Sequence, residues 1–130
     1  PTRYVKLSPV ASTYASRTMI LSGPVIGAFI VYHLLHFTTG HVHPDFNHEM
    51  DVYRNVITGF QQPLASLFYI VAVSLVGLHL YHGVWSMLHT AGISNPGYKS
   101  VRRIVAPAVA MVIAAGYIAI PVAVLCRIVR

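Results

Sequence analysis

Three long apolar runs, at 18–39, 64–90 and 104–127, dominate the hydropathy pattern, and polar segments separate them. Each exceeds the roughly 20 residues that an α-helix needs to cross a ~30 Å hydrocarbon core. The pattern predicts an all-α membrane protein, one membrane domain over 1–130 with three transmembrane helices. Between the first two runs, 40–63 is polar at first. Met50, Val52, Tyr53, Val56, Ile57 and Phe60 then recur at a spacing that suits a short helix lying on the membrane surface. Pro63 falls in the first turn of the second long helix, where its missing N–H costs little. Asn95-Pro96-Gly97 predicts a turn after that helix. Pro107 and Pro121 lie inside the third run and predict a bend or break there. The first run begins only at Thr18 and has no cleavage-like end, so it is expected to be a span and not a secretory signal. No internal repeat or low-complexity segment interrupts this organisation.

Composition narrows the class further. Hydrophobic residues make up 55% of the chain and charged residues 9%, against about 25% charged in a soluble domain. Nine Lys and Arg stand against three Asp and Glu, for a formal charge of +6. The basic residues border the apolar runs instead of lining one face, which argues for membrane topology and against nucleic acid. A single Cys excludes a disulfide framework and any C-x-x-C metal pair.

The basic residues also predict orientation. Arg3, Lys6 and Arg17 precede the first span, and Lys99, Arg102 and Arg103 lie between the second and third. Three antiparallel spans place these six on one side, expected to be the cytoplasm. The other side receives Arg54, Arg127 and Arg130 with all three acids, Asp45, Glu49 and Asp51. The expected layout is therefore a cytoplasmic 1–17, an outer loop over 40–63 and a cytoplasmic loop over 91–103, in a cell inner (cytoplasmic) membrane.

Ionisable residues inside a bilayer are expensive and tend to mark function. The first span carries His33 and His36 in VYHLLHF, and the second carries His79 and His82 in GLHLYHGVWS. A lone membrane His is most simply a hydrogen-bonding residue between helices. Four of them, with no acid in any span, favour a metal or haem instead, because neutral imidazole is a common ligand. His33 lies 15 residues into its run and His79 lies 16 residues beyond Pro63. At 1.5 Å per residue their depths differ by about 10–15 Å in antiparallel helices. Two haems at two levels, each taking one ligand from this chain, fit that difference better than one shared haem.

The runs SRTMILSGPVIGAFIVYHLLHF, VHPDFNHEMDVYRNVITGFQQP and LGLHLYHGVWSMLHTAGISNP resemble the cytochrome b558 membrane anchor of succinate dehydrogenase and quinol:fumarate reductase. The likeness covers approximately residues 14 to 125. Its most specific parts are Ser22-Gly23, ten residues before His33, and H-x-x-x-G-x-W-S from His79 to Ser86. In that family a five-helix subunit holds two b haems, and this chain resembles helices III to V. The resemblance implies that His33 is an axial iron ligand of the distal haem and His79 of the proximal one. It also implies that 1–16 connects helices II and III. The other two axial ligands are then expected from another polypeptide or from a longer chain.

Further roles follow from the same resemblance. His82 competes with His79 for the proximal haem, three residues away on nearly the same face, and His36 stands in the same relation to His33. Ser22, Ser86 and Arg54 are candidates to bond haem propionates. Gly23, Gly27 and Gly83 would let a helix or macrocycle approach, and Tyr32, Tyr81 and Trp85 would pack or anchor at the interface. His41, His43 and His48 either exchange quinone protons or belong to a solvated loop. Cys126 is expected to be inert. The implied activity is electron transfer between an iron–sulfur subunit and membrane quinone, with dicarboxylate chemistry on a flavoprotein subunit. Arg3, Lys6, Lys99, Arg102 and Arg103 are either docking residues for the iron–sulfur subunit or plain topology signals.

Two other classes compete. A membrane di-iron hydroxylase needs H-x-x-x-H and H-x-x-H-H clusters that this chain lacks. A haem-free structural anchor would use His33 and His79 only as bonds between helices. Within the haem proteins, another dihaem quinol cytochrome is the nearest alternative, although such bundles often stack two His on one helix about 13 residues apart, and none here does.

Overall fold

The structure, a computed structural model, describes residues 14–49, 51–92 and 99–130, with side chains described from Met19 onward and, in the last segment, from Ser100. Four helices follow in order: α1 (Tyr14–Phe37), α2 (Val52–Phe60), α3 (Pro63–Thr90) and α4 (Lys99–Leu125). Three of them, α1, α3 and α4, contain stretches long and apolar enough to cross a membrane. The expected turn at Asn95-Pro96-Gly97 lies outside the described residues, as do Arg3, Lys6 and Met50.

The ends of the helices have local causes. After α1, Gly40 takes φ 75°, and a side chain there would also collide with Phe46, so the position requires glycine on both counts. Asp51 caps α2 by accepting the Arg54 N–H at 3.0 Å. Pro63 opens α3, and the fully buried Ser66 hydroxyl donates back to the Phe60 carbonyl at 2.6 Å, fastening the α2–α3 joint. Of the bend or break expected in the third span, the break does not occur: α4 runs unbroken through Pro107 and Pro121. Most of its backbone ladder survives because a proline removes one donor and neighbouring groups compensate. Pro24 is likewise accommodated inside α1.

Helix α3 lies between α1 and α4 and touches every other helix. Its contact with α4 is the most intimate, through small residues: a Cβ on Gly77 would stand 3.0 Å from the Ala114 Cβ, with buried Ala72, Ala106 and Ala110 along the two helices. Lipid tails give no hydrophobic drive between helices, so such close backbone approach supplies the dispersion contacts that hold the pair. Both α1 and α4 run antiparallel to α3, since early residues of each meet late residues of α3. Nearly all of α1 that does not face α3 is exposed, including Ile20, Leu21, Val31 and Leu34.

At the end carrying the 38–51 loop, α2 closes the bundle. Ile57 and Phe60 pack with Tyr69 and Val124, flanked by Phe29, Tyr32, Phe37 and Val56. Tyr69 is the centre of this cluster, with Phe60 edge-on at 5.0 Å and Phe29 at 5.3 Å. The amphipathic segment expected on the membrane surface thus buries Ile57 and Phe60 on the other helices, while Val52 and Tyr53 stay exposed. Tyr53 adds a bond to the Arg130 carbonyl at 3.0 Å, tying α2 to the chain's end.

The α3–α4 seam gives a direct test. Gly77→Leu should lower stability by about 1–3 kcal/mol through overpacking, whereas Gly116→Ala, where nothing lies within 4 Å, should change it by less than about 1 kcal/mol. Reversible unfolding of both variants in mixed detergent micelles measures the difference.

Candidate functional site

Two hydroxyl–imidazole contacts join α1 to α3, one near each end. In the first, the Ser22 Oγ lies 2.8 Å from the His79 Nδ1. The same hydroxyl donates to the Met19 carbonyl at 2.9 Å. A serine has one hydroxyl hydrogen, so while it serves Met19 the imidazole must be the donor. His79 is then held as the Nδ1–H tautomer, and its Nε2 lone pair has no partner among the described residues. An imidazole fixed through one nitrogen and free at the other is the arrangement that orients a metal ligand.

Beside this ring the surface is bare. Gly83 stands one turn after His79, and Gly23 and Gly27 lie on α1; a Cβ at any of the three would meet nothing within 4 Å. These are the glycines expected to allow a close approach, and no described side chain approaches them. His82 packs beside Tyr81 at 5.1 Å with no hydrogen bond to its ring among the described residues. His79 is therefore the one of the pair fixed to another helix.

In the second contact, the Tyr69 hydroxyl lies 3.1 Å from the His36 Nδ1 and 3.5 Å from the His33 Nδ1. Donation to the nearer His36 leaves the phenol oxygen facing His33. His36 itself is 1% exposed, stacked on Tyr32 and enclosed by Phe37, His43 and Tyr69. It has no open face for a ligand and serves as packing. His33 is exposed and borders an apolar cleft of ≈ 480 Å³, with Phe29 and Phe37 on α1, Tyr69 and Val73 on α3, Tyr117 on α4, and Val56 and Phe60 on α2. That volume lies within the roughly 300–1,000 Å³ of small-molecule and cofactor sites.

The two contacts also fix relative depth. Ser22 and His33 are 11 residues apart on α1, and Tyr69 and His79 are 10 apart on α3. The two imidazoles therefore stand about 15 Å apart along the bundle. Among the described residues no three His, Cys, Asp or Glu side chains gather where they could hold one metal ion. Each imidazole has its own surroundings: His33 borders an apolar cleft, and His79 a face that no described side chain covers.

The remaining candidates are dispersed. Arg54 is exposed on α2 and pairs with Asp45 at 2.9 Å, a surface pair worth about 0–1 kcal/mol. Ser86 is exposed on α3, where its carbonyl accepts the Thr90 hydroxyl at 3.0 Å. The three loop histidines separate in kind. His41 and His48 are exposed, but His43 is buried and bonded at both nitrogens, donating to the Asn55 carbonyl at 2.8 Å and accepting the Asp45 N–H at 3.1 Å. Asn55 completes the knot by exchanging two bonds with the Asn47 backbone, at 2.7 and 3.0 Å. The loop is thus folded around His43, whose two nitrogens are both engaged. Neither Tyr69 nor Asn55 is marked by the sequence: each is a single polar residue in an apolar surrounding, and their partners are 33 to 36 and 8 to 12 positions away.

The Ser22–His79 bond has a spectroscopic consequence. In the isolated chain, ¹⁵N NMR of labelled histidine should find His79 protonated at Nδ1 and bare at Nε2, and Ser22→Ala should abolish that preference while leaving the helical content unchanged. With these two imidazoles in place, the chain was compared with known proteins, and no protein family, curated protein or solved structure matches it.

Proposed function

We propose that this chain is a haem b membrane anchor of a succinate:quinone oxidoreductase, passing electrons between an iron–sulfur subunit and membrane quinone. The observation that carries the reading is the pair His33 and His79: two imidazoles about 15 Å apart in depth, each held at Nδ1 beside a hydroxyl. When bound, b haems supply one-electron carriers at two levels of the membrane. The chain's own contribution is to present one imidazole to each, His33 toward the distal haem and His79 toward the proximal one, and to set each ring's tautomer and angle. A hydrogen bond at the far nitrogen raises ligand basicity and so tunes potential. The exposed apolar face of α1 and the open glycines leave room for the helices that would bring the remaining haem ligands. Dicarboxylate chemistry belongs to a flavoprotein subunit, because none of the three acids or the spans offers a site for it. The N-terminal side is assigned to the cytoplasm, in an inner membrane, on the distribution of Arg and Lys.

The purified complex should show the low-spin spectrum of two bis-imidazole haems. His33→Ala should remove one haem and His79→Ala the other, each deleting a different redox component. His82→Ala and His36→Gln should keep both, with at most a shifted potential. Loss of the proximal haem in His82→Ala, with retention in His79→Ala, would move the ligand by one helical turn. A wild-type complex without haem would end the electron-transfer reading in favour of a structural anchor.

Orientation is tested separately. A Cys placed at Asn47 should react with an impermeant thiol reagent on intact cells, and one placed at Ser94 should be protected. The reverse pattern would exchange the two haem positions.

A further inference from the structure

Arg102 presents an unsolved charge problem. It lies in the first turn of α4 and is only 8% exposed. One amino group donates to the His89 Nδ1 at 2.8 Å, and the guanidinium lies 5.5 Å from the centre of the Trp85 ring. Both partners are neutral as acceptors. The Nε is buried with no hydrogen-bond partner among the described residues. A buried arginine without an anion is costly, because its lost hydration is not repaid.

No acid of this sequence lies near Arg102. Its only acids are Asp45, Glu49 and Asp51, and they lie at the opposite end, beyond Pro63. From Pro63 to His89 the rise along α3 is about 39 Å, several times the ~8 Å screening length of physiological salt.

Position identifies the missing partner. His89 is in the last turn of α3 and Arg102 in the first turn of α4, so both sit where spans emerge from the hydrocarbon. That is the level of lipid phosphates, and Trp85 is the residue type that marks it. A haem propionate fits less well, because His89 lies 10 residues, or about 15 Å, beyond His79.

We propose that Arg102, set by His89 and Trp85, binds the phosphate of an anionic phospholipid between the ends of α3 and α4. The site is independent of the haem reading and needs only that the helices span a bilayer. It also removes Arg102 from the candidate docking residues, leaving Arg3, Lys6, Lys99 and the exposed Arg103.

The test uses the full chain purified in detergent and native mass spectrometry. It is titrated with phosphatidylglycerol or with monogalactosyl diacylglycerol, which carries the same tails and no phosphate. Wild type should retain phosphatidylglycerol about fivefold more strongly, the effect of one arginine near the surface. Arg102→Gln should lose that preference, while Arg103→Gln, an equal charge change on an exposed neighbour, should keep most of it. Trp85, the single tryptophan, should change its emission on phosphatidylglycerol addition in wild type and not in Arg102→Gln. If Arg102→Gln does not fold, Arg102→Lys should fold and retain part of the preference. Equal retention of the two lipids by wild type overturns the proposal, as does equal loss in Arg103→Gln. An Arg102→Gln complex with shifted haem potential and unchanged lipid preference would assign the anion to a propionate, and so also overturn it.

Discussion

Hydroxyl-to-imidazole bonding between α1 and α3 is the constraint from which the arrangement follows. In an apolar surrounding the helices gain little by hiding hydrophobic surface from lipid, so α1 needs specific polar bonds to hold its register. Ser22 with His79, and Tyr69 with His36 and His33, supply them near opposite ends. Two fastenings fix both the height of α1 and its rotation about its axis. They also decide which ring nitrogens remain free.

The same bonds separate four similar histidines into different kinds. His36 is enclosed by aromatic rings and spends its Nδ1 on Tyr69. His79 is turned by Ser22 so that Nε2 stays bare, and His33 lies at the edge of an apolar cleft. His82 has no such fixture. A ligand chosen from this set would be one whose ring is already oriented, since an unfixed ring must give up its freedom on binding. The second interface works differently. Between α3 and α4 it is Gly77 against Ala114 that sets the distance, and only at the far end does a polar contact, Arg102 with His89, take part.

Beyond the spans, α2 and the 38–51 loop form a folded cap. His43 and Asn55 satisfy three backbone groups that the loop's lack of secondary structure would leave open. The cap roofs the cleft beside His33 with Val56 and Phe60. In the proposed anchor, this roof would restrict what reaches the distal level from the membrane surface.

The sequence by itself determined the three long apolar helices, the short amphipathic one and the unequal depth of His33 and His79. These are properties of run length and of rise per residue, which need no knowledge of neighbours. It did not determine that α4 passes unbroken through Pro107 and Pro121, because the cost of a lost backbone bond depends on what surrounds it. Nor did it distinguish His43 from His41, or a buried Arg102 from an exposed Arg103. Those differences arise from partners such as Asn55 and His89, 12 and 13 positions away. Only the tertiary structure brings such residues together, and burial and hydrogen bonding then decide which of several identical side chains is left free.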